Sequence, residues 1–168
     1  MKNVLKVLSI LLIGVLSFSC GDNSQKVMLA NIDYTYAQNR KDSTLATGWY
    51  YITESSEGYK RQLDKTDEFY FIHPKPIIVK EHFDKLEIYK DGELKLQSSL
   101  LIKIHRNFEH LWADATEKWE GKRLALIIDD VLVSNPKVMS RIEGGGSSLG
   151  RPVYSEEELE AFIEQIGI

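Results

Sequence analysis

Two adjacent acids, Asp129 and Asp130, four histidines, one cysteine and a glycine-rich run are the groups of this 168-residue chain best suited to chemistry. A carboxylate pair shares a proton or a metal only where both side chains converge, and consecutive strand or turn residues diverge. The acids lie between the apolar runs 124–128 (LALII) and 131–133 (VLV), so they read as a hairpin tip, where Asp is a preferred residue. A two-residue turn needs positive φ at both central positions, which Asp tolerates better than most residues. Glu143 has no partner carboxylate at a recognisable spacing. His73, His82, His105 and His110 match no zinc-ligand spacing, and no nearby cysteine joins them; they read as surface histidines. Gly145 and Gly150 satisfy the outer positions of a phosphate loop, but Arg151-Pro152 stands where Lys-Ser/Thr is needed. The next helix begins only near Glu156, so no strand-to-helix junction aims backbone N–H groups at an anion. No serine sits in a G-x-S-x-G elbow. These residues assemble no catalytic, metal or cofactor site, and the chain is expected not to be an enzyme.

The elements that must position these groups follow from hydrophobic periodicity. Residues 47–53 (TGWYYIT) are aromatic and β-branched, hence a strand, and 54–65 read as a charged loop. Residues 68–72 form a second strand, closed by Pro74 and Pro76, whose missing donors place the chain at a sheet edge. Residues 77–79 add a short strand, followed by a turn of helix over 81–85. Strands around Asp91-Gly92 form a hairpin. Its second arm is half-buried, with Leu94, Leu96, Ser98, Leu100, Ile102 and Ile104 on one face. Phe108, Leu111, Trp112, Ala115 and Trp119 then follow helical spacing, with Asn107 as N-cap and Gly121 as the stop. The continuous run 124–128 predicts a strand buried on both faces. Gly144, Gly145 and Gly146 predict a flexible or positive-φ connection. Ser155 and Glu158 form a capping box, after which Leu159, Phe162, Ile163 and Ile166 make one apolar face. The sum is α+β: an antiparallel sheet with two amphipathic helices packed on one face, preceded by a lipoprotein signal peptide. Leu126, Ile128, Leu111, Trp112, Phe162 and Ile163 are expected in its core.

The N-terminus explains the single cysteine. Lys2 and Lys6 supply a positive region, 7–16 an apolar one, and Ser17 and Ser19 lead into Cys20-Gly21. This resembles a bacterial lipoprotein signal, in which Cys20 becomes the lipidated first residue. The expected organisation is 1–19 signal peptide, 20–45 lipidated N-terminus, tether and an unassigned segment, and 46–168 the folded domain. Removing the leader deletes Lys2 and Lys6, so 21 Lys and Arg become 19 against 25 Asp and Glu, a balance of −6. That argues against nucleic acid as a partner, since a nucleic-acid module carries a basic face.

Residues 121–136 (GKRLALIIDDVLVSNP), followed by Ile142 and the pair Gly144-Gly145, resemble the head subdomain of the first large periplasmic domain of SecDF. That family has a GKRLAIVLDG-like strand and turn, a VxSAP-like return, and a glycine pair before a final strand and helix. The resemblance covers roughly residues 47–168. Asp130 departs from it by replacing a turn glycine, and Asn135 by replacing the alanine before the proline. The resemblance implies a SecDF head-like α+β domain whose surface contacts exported or unfolded polypeptide. In SecDF, transmembrane helices supply the proton-driven movement. No stretch beyond the leader here reads as a membrane span, so what carries over is the head's shape and peptide-contacting surface. The expected protein is a non-catalytic binding module, exported to the cell envelope and lipid-anchored at Cys20. The anchor would lie in the inner or outer membrane facing the periplasm, or at the cell surface. Its partner-binding residues are expected around Gly144, Gly145, Gly146, Asn135 and Pro136. The alternatives are a small envelope enzyme with a site the sequence does not reveal, and a structural subunit of an envelope protein complex.

Overall fold

A computed structural model describes residues 44–54, 56–91 and 97–168. The leader, Cys20, the unassigned segment up to residue 43 and the connection after Asp91 lie outside the described residues. In chain order the elements are β1 (Gly48–Thr53), β2 (Tyr59–Gln62), β3 (Phe69–Ile72), β4 (Ile78–Val79), β5 (Phe83–Asp91), β6 (Gln97–Ile104), α1 (Glu109–Lys118), β7 (Leu124–Ile128), β8 (Val131–Ser134), β9 (Gly146–Leu149) and α2 (Glu156–Ile166).

The first sheet runs β2-β3-β1-β7-β8, with β4 beside β1, and every pairing in it is antiparallel. Five strands that alternate in direction cannot close on themselves without one parallel seam. That seam is present: Leu63, just after β2, bridges Leu132 of β8 in parallel, and the Asp64 N–H donates to Leu132 O at 2.9 Å. The sheet is thus a nearly closed barrel, filled by Leu45, Tyr50, Leu63, Ile72, Ala125, Ile127 and Leu132. The apolar run of β7 is continuous because its faces serve two cores. Ala125 and Ile127 point into the barrel, while Leu124, Leu126 and Ile128 point out of it.

The outward core is closed by a second antiparallel sheet, β5-β6-β9, and by both helices. Trp49 of β1 meets Trp112 of α1 at 5.1 Å between ring centroids, and Leu126, Ile102, Leu149 and Leu159 surround them. The alternation along β6 holds, with Leu100, Ile102 and Ile104 buried. At the start of α2 the capping box forms in full, and Gly167 ends the helix at φ 64°.

The α+β class and its two helices are as the sequence predicts, with the antiparallel strands divided between two sheets. Five local expectations change. The turn of helix expected over 81–85 is a 3-10 turn over Lys80–His82, and the chain is already in β5 from Phe83. Residues 54–65 contain β2, whose YKRQ sequence lacks an apolar pattern because only alternate residues are half-covered. Pro74 and Pro76 do not sit at an open edge of β3; they interrupt a chain that pairs with β1 before and after them. His73 N–H reaches Tyr51 O at 2.9 Å and Ile77 N–H reaches Trp49 O at 2.8 Å. Asn107 is not the cap of α1. It lies in a 3-10 turn, Arg106–Phe108, and donates its N–H to the His105 ring at 3.2 Å. Leu111 is 37% exposed, because α1 turns Trp112, Ala113, Ala115 and Thr116 inward.

Candidate functional site

The glycine run forms a fixed turn feeding an edge strand. Gly144 and Gly145 have φ of 69° and 64°, a backbone region that L side chains rarely adopt. A Cβ on Gly145 would stand 2.8 Å from Glu109 Cγ and 3.0 Å from Ile104 O, so the position is closed sterically as well. Gly145 O accepts the Ile104 N–H at 2.8 Å, which ties the turn to the end of β6. Lys103 Nζ donates to Gly144 O and pairs with Glu109 at 3.0 Å. Gly146 has no such demand: φ is not positive, and a Cβ there would meet open space.

Among the described residues, β9 pairs with β6 on one side only. Bonded residues alternate along an antiparallel ladder. The bond from Ile104 to Gly145 therefore sets the phase: Ser147 and Leu149 face β6, and the main-chain groups of Gly146 and Ser148 face away. The Trp112 indole N–H donates to Gly146 O at 3.0 Å, which agrees with that phase. Beside this edge lies a groove of about 630 Å³, lined by Gly146, Ser148, Trp112, Pro136 and Ile142 and also by the charged Lys85, Glu87 and Lys103, among others. A smaller hollow of about 190 Å³ shares Trp112, Pro136 and Ile142 and ends at Met139, which is 73% exposed. Trp49 also lines the groove; its indole N–H is buried and makes no hydrogen bond among the described residues.

The far wall is held by α1. The Ile142 N–H donates to Thr116 Oγ1 at 2.9 Å, and that hydroxyl donates in turn to carbonyls one turn back on the helix. Arg141 is bracketed by Asp114, Glu117 and Glu143 at 3.0, 2.6 and 2.6 Å. Pro136 is pinned from behind, its carbonyl accepting the Leu124 N–H at 3.1 Å.

Of the residues predicted from sequence, Gly146 and Pro136 meet on the groove. Gly144 and Gly145 build the turn that delivers β9 to it. Asn135 does not line it, and its carbonyl accepts from Arg123 at 2.8 Å. Trp112, Trp49, Ile142 and Ser148 were not legible as site residues: the tryptophans look like core, and nothing local marks Ser148 as facing outward. Asp129 and Asp130 form the β7–β8 turn, with φ of 46° and 66°. Asp129 is exposed, but Asp130 is no idle tip. Its carboxylate accepts from Arg61 at 2.6 Å and from the Leu45 N–H at 2.8 Å, across the barrel seam. Its charge and burial push the Tyr50 hydroxyl up to about 12, with burial the larger cause. Among the described residues, no group of three or more His, Cys, Asp or Glu is placed to hold a metal ion.

No family model and no curated protein matches the chain. Solved structures do. SecDF in its super-membrane-facing form superposes with a TM-score of 0.57 at 15% identity, over 87% of this chain and 21% of that one. SecDF described as a membrane component that enhances protein export gives a TM-score of 0.57 at 14% identity, over 86% of this chain and 68% of that one. The fold is similar to that of a part of SecDF. At this identity the likeness is one of fold, reached independently of the 121–136 resemblance in sequence, and the chain spans only 21% of the longer structure. Among the described residues, no helix is long and apolar enough to cross a membrane.

Proposed function

We propose that this chain is a non-catalytic, membrane-anchored binding module of the cell envelope, which takes up extended segments of exported or unfolded polypeptide along β9. One observation carries the reading: among the described residues β9 is an edge strand whose Ser148 main-chain groups face away from β6, beside a groove lined by Trp112, Pro136 and Ile142 and rimmed by Lys85, Glu87 and Lys103. A peptide adding to such an edge gains main-chain hydrogen bonds with little sequence preference, which suits a handler of many clients. The SecDF-like fold supports the assignment, since one of the similar structures is a membrane component that enhances protein export. A lipid on Cys20 would hold the module at the membrane. Four strand residues offer a small contact, below about 1,200 Å² in total, so single segments should bind weakly.

The test is a titration with unfolded signal-bearing and unrelated peptides, followed by amide NMR shifts. Shifts confined to residues 146–149 and to Trp112 and Ile142 are expected at sub-millimolar to millimolar peptide. If no residue shifts while one folded envelope protein binds tightly, the chain is instead a dedicated subunit of an envelope complex.

A further inference from the structure

The chain carries a net charge of −4, yet the end of the barrel where β7 begins is cationic. Lys118 at the end of α1, Lys122 and Arg123 in the turn entering β7, and Lys137 beyond β8 are all exposed. The fold gathers them from separate elements. Arg123 bridges Lys137 in antiparallel pairing, and the Val138 N–H donates to Lys122 O at 2.8 Å. None of the four forms an ion pair with another described residue. Of the neighbouring acids, Asp114 and Glu117 are held by Arg141, and Glu68 accepts the Tyr70 hydroxyl. Glu120, exposed on the same turn, offsets one of the four charges.

Apolar groups sit among these cations. Trp119 is half-buried, packs on Tyr51 at 4.4 Å between ring centroids, and donates its indole N–H to Arg123 O at 3.0 Å. Lys122 Nζ stands 4.2 Å from the centre of the Trp119 ring, and Lys118 Nζ 5.7 Å from that of Tyr51. Met139, 73% exposed, lies two residues beyond Lys137, with Val138 buried between them. At a bilayer surface, Lys and Arg attract anionic headgroups, an indole settles at headgroup level and an apolar side chain dips below it. We infer that this end of the molecule docks on a membrane surface of anionic lipid. Each Lys or Arg close to such a surface is worth about fivefold in affinity. The attraction fades within about 8 Å at physiological salt, so it acts on the face in contact. An acidic polypeptide would match the charges as well; the indole and the uncovered methionine beside them favour the bilayer. The inference stands apart from peptide binding at β9 and needs no lipid on Cys20. With that lipid in place, the patch would decide which face of the domain lies on the membrane.

The test compares lysines within one chain. The full-length protein is incorporated into vesicles of phosphatidylcholine alone, or of phosphatidylcholine and phosphatidylglycerol in equal parts. A water-soluble acylating reagent is then added, and mass spectrometry reads the labelling rate of each lysine. Lys118, Lys122 and Lys137 should label about fivefold or more slowly on the anionic vesicles. Lys65 and Lys90, which pair with α2, should change little. The difference should vanish in about 1 M salt, where the screening length is about 3 Å. Equal rates on the two kinds of vesicle, or an equal slowing of all five lysines, would overturn the inference. So would slowing of the patch lysines by soluble poly-glutamate on neutral vesicles with none on the anionic ones, which would assign the patch to an acidic polypeptide. The double variant Lys122→Glu, Lys137→Glu should lose the protection of Lys118, and protection retained would overturn the inference. Should that variant misfold, the salt series on the unaltered chain decides alone, and protection that persists in high salt counts against the patch.

Discussion

At the scale of single residues, the β7–β8 turn separates two effects that usually travel together. Asp129 and Asp130 both sit at positive φ, so glycine would relieve both backbones. Only Asp130 also joins the barrel seam, through Arg61 and the Leu45 N–H. Asp129→Gly should therefore leave stability within about 0.5 kcal/mol. Asp130→Gly should lose about 1.5–3 kcal/mol, the range for hydrogen bonds to a charged group. Paired denaturant melts decide it, and equal effects would mean the seam contributes nothing. The glycine turn allows a similar separation. Gly145→Ala meets both a left-handed backbone and the Ile104 carbonyl, and should cost about 1–3 kcal/mol. Gly146→Ala should be close to neutral in stability, which makes it the usable probe of the edge. Replacing all three glycines at once would report on folding and not on binding.

At the scale of elements, two leucines with the same chemistry should behave differently. Leu126 is fully buried in β7 and Leu111 is 37% exposed on α1. Thermal melts should show a loss of about 2–5 kcal/mol for Leu126→Ala and less than about 0.5 kcal/mol for Leu111→Ala. β7 was readable because its five apolar residues exceed what a one-sided strand needs. The face of α1 was not, because size misled: small Ala113 and Thr116 face inward, and a stripe built from large residues points about one position astray. β2 escaped for a related reason, since its covering comes from the barrel and its sequence is YKRQ. α2 was legible to the residue through its capping box. Glu158 of that box also pairs with Lys65 at 2.5 Å, and Lys65, with the Ser155 backbone second, holds its carboxyl below the ordinary range. A depressed carboxyl contributes stability that is present above the unfolded value near ~4.3 and is lost as pH falls through the folded one. Acid unfolding of Glu158→Gln should accordingly be shallower in pH than that of the parent, and parallel curves would assign the pair no role.

At the scale of the whole molecule, the sequence conveyed the fold class and a likeness to SecDF that the fold shares, while closure of the barrel stayed hidden. Leu63 and Leu132 are far apart along the chain and neither carries a local mark of meeting the other; only the odd strand count, known once β2 is seen, requires their parallel bridge. The membrane attachment is testable at this scale too. Mass spectrometry of membrane-extracted protein should find an acylated Cys20 at the mature N-terminus, and Cys20→Ala should move the protein to the soluble fraction. A different, unmodified N-terminus would remove the anchor. The position of β1 has a mechanical consequence for a tethered protein. Residues 44–47 lead into β1, which is bonded to β3 and β4 on one flank and to β7 on the other. A pull along that strand from the membrane side loads both ladders in shear, so many bonds must fail together and not one after another. If Cys20 is lipidated as proposed, a pull along β1 would load these ladders, while β9 belongs to the other sheet.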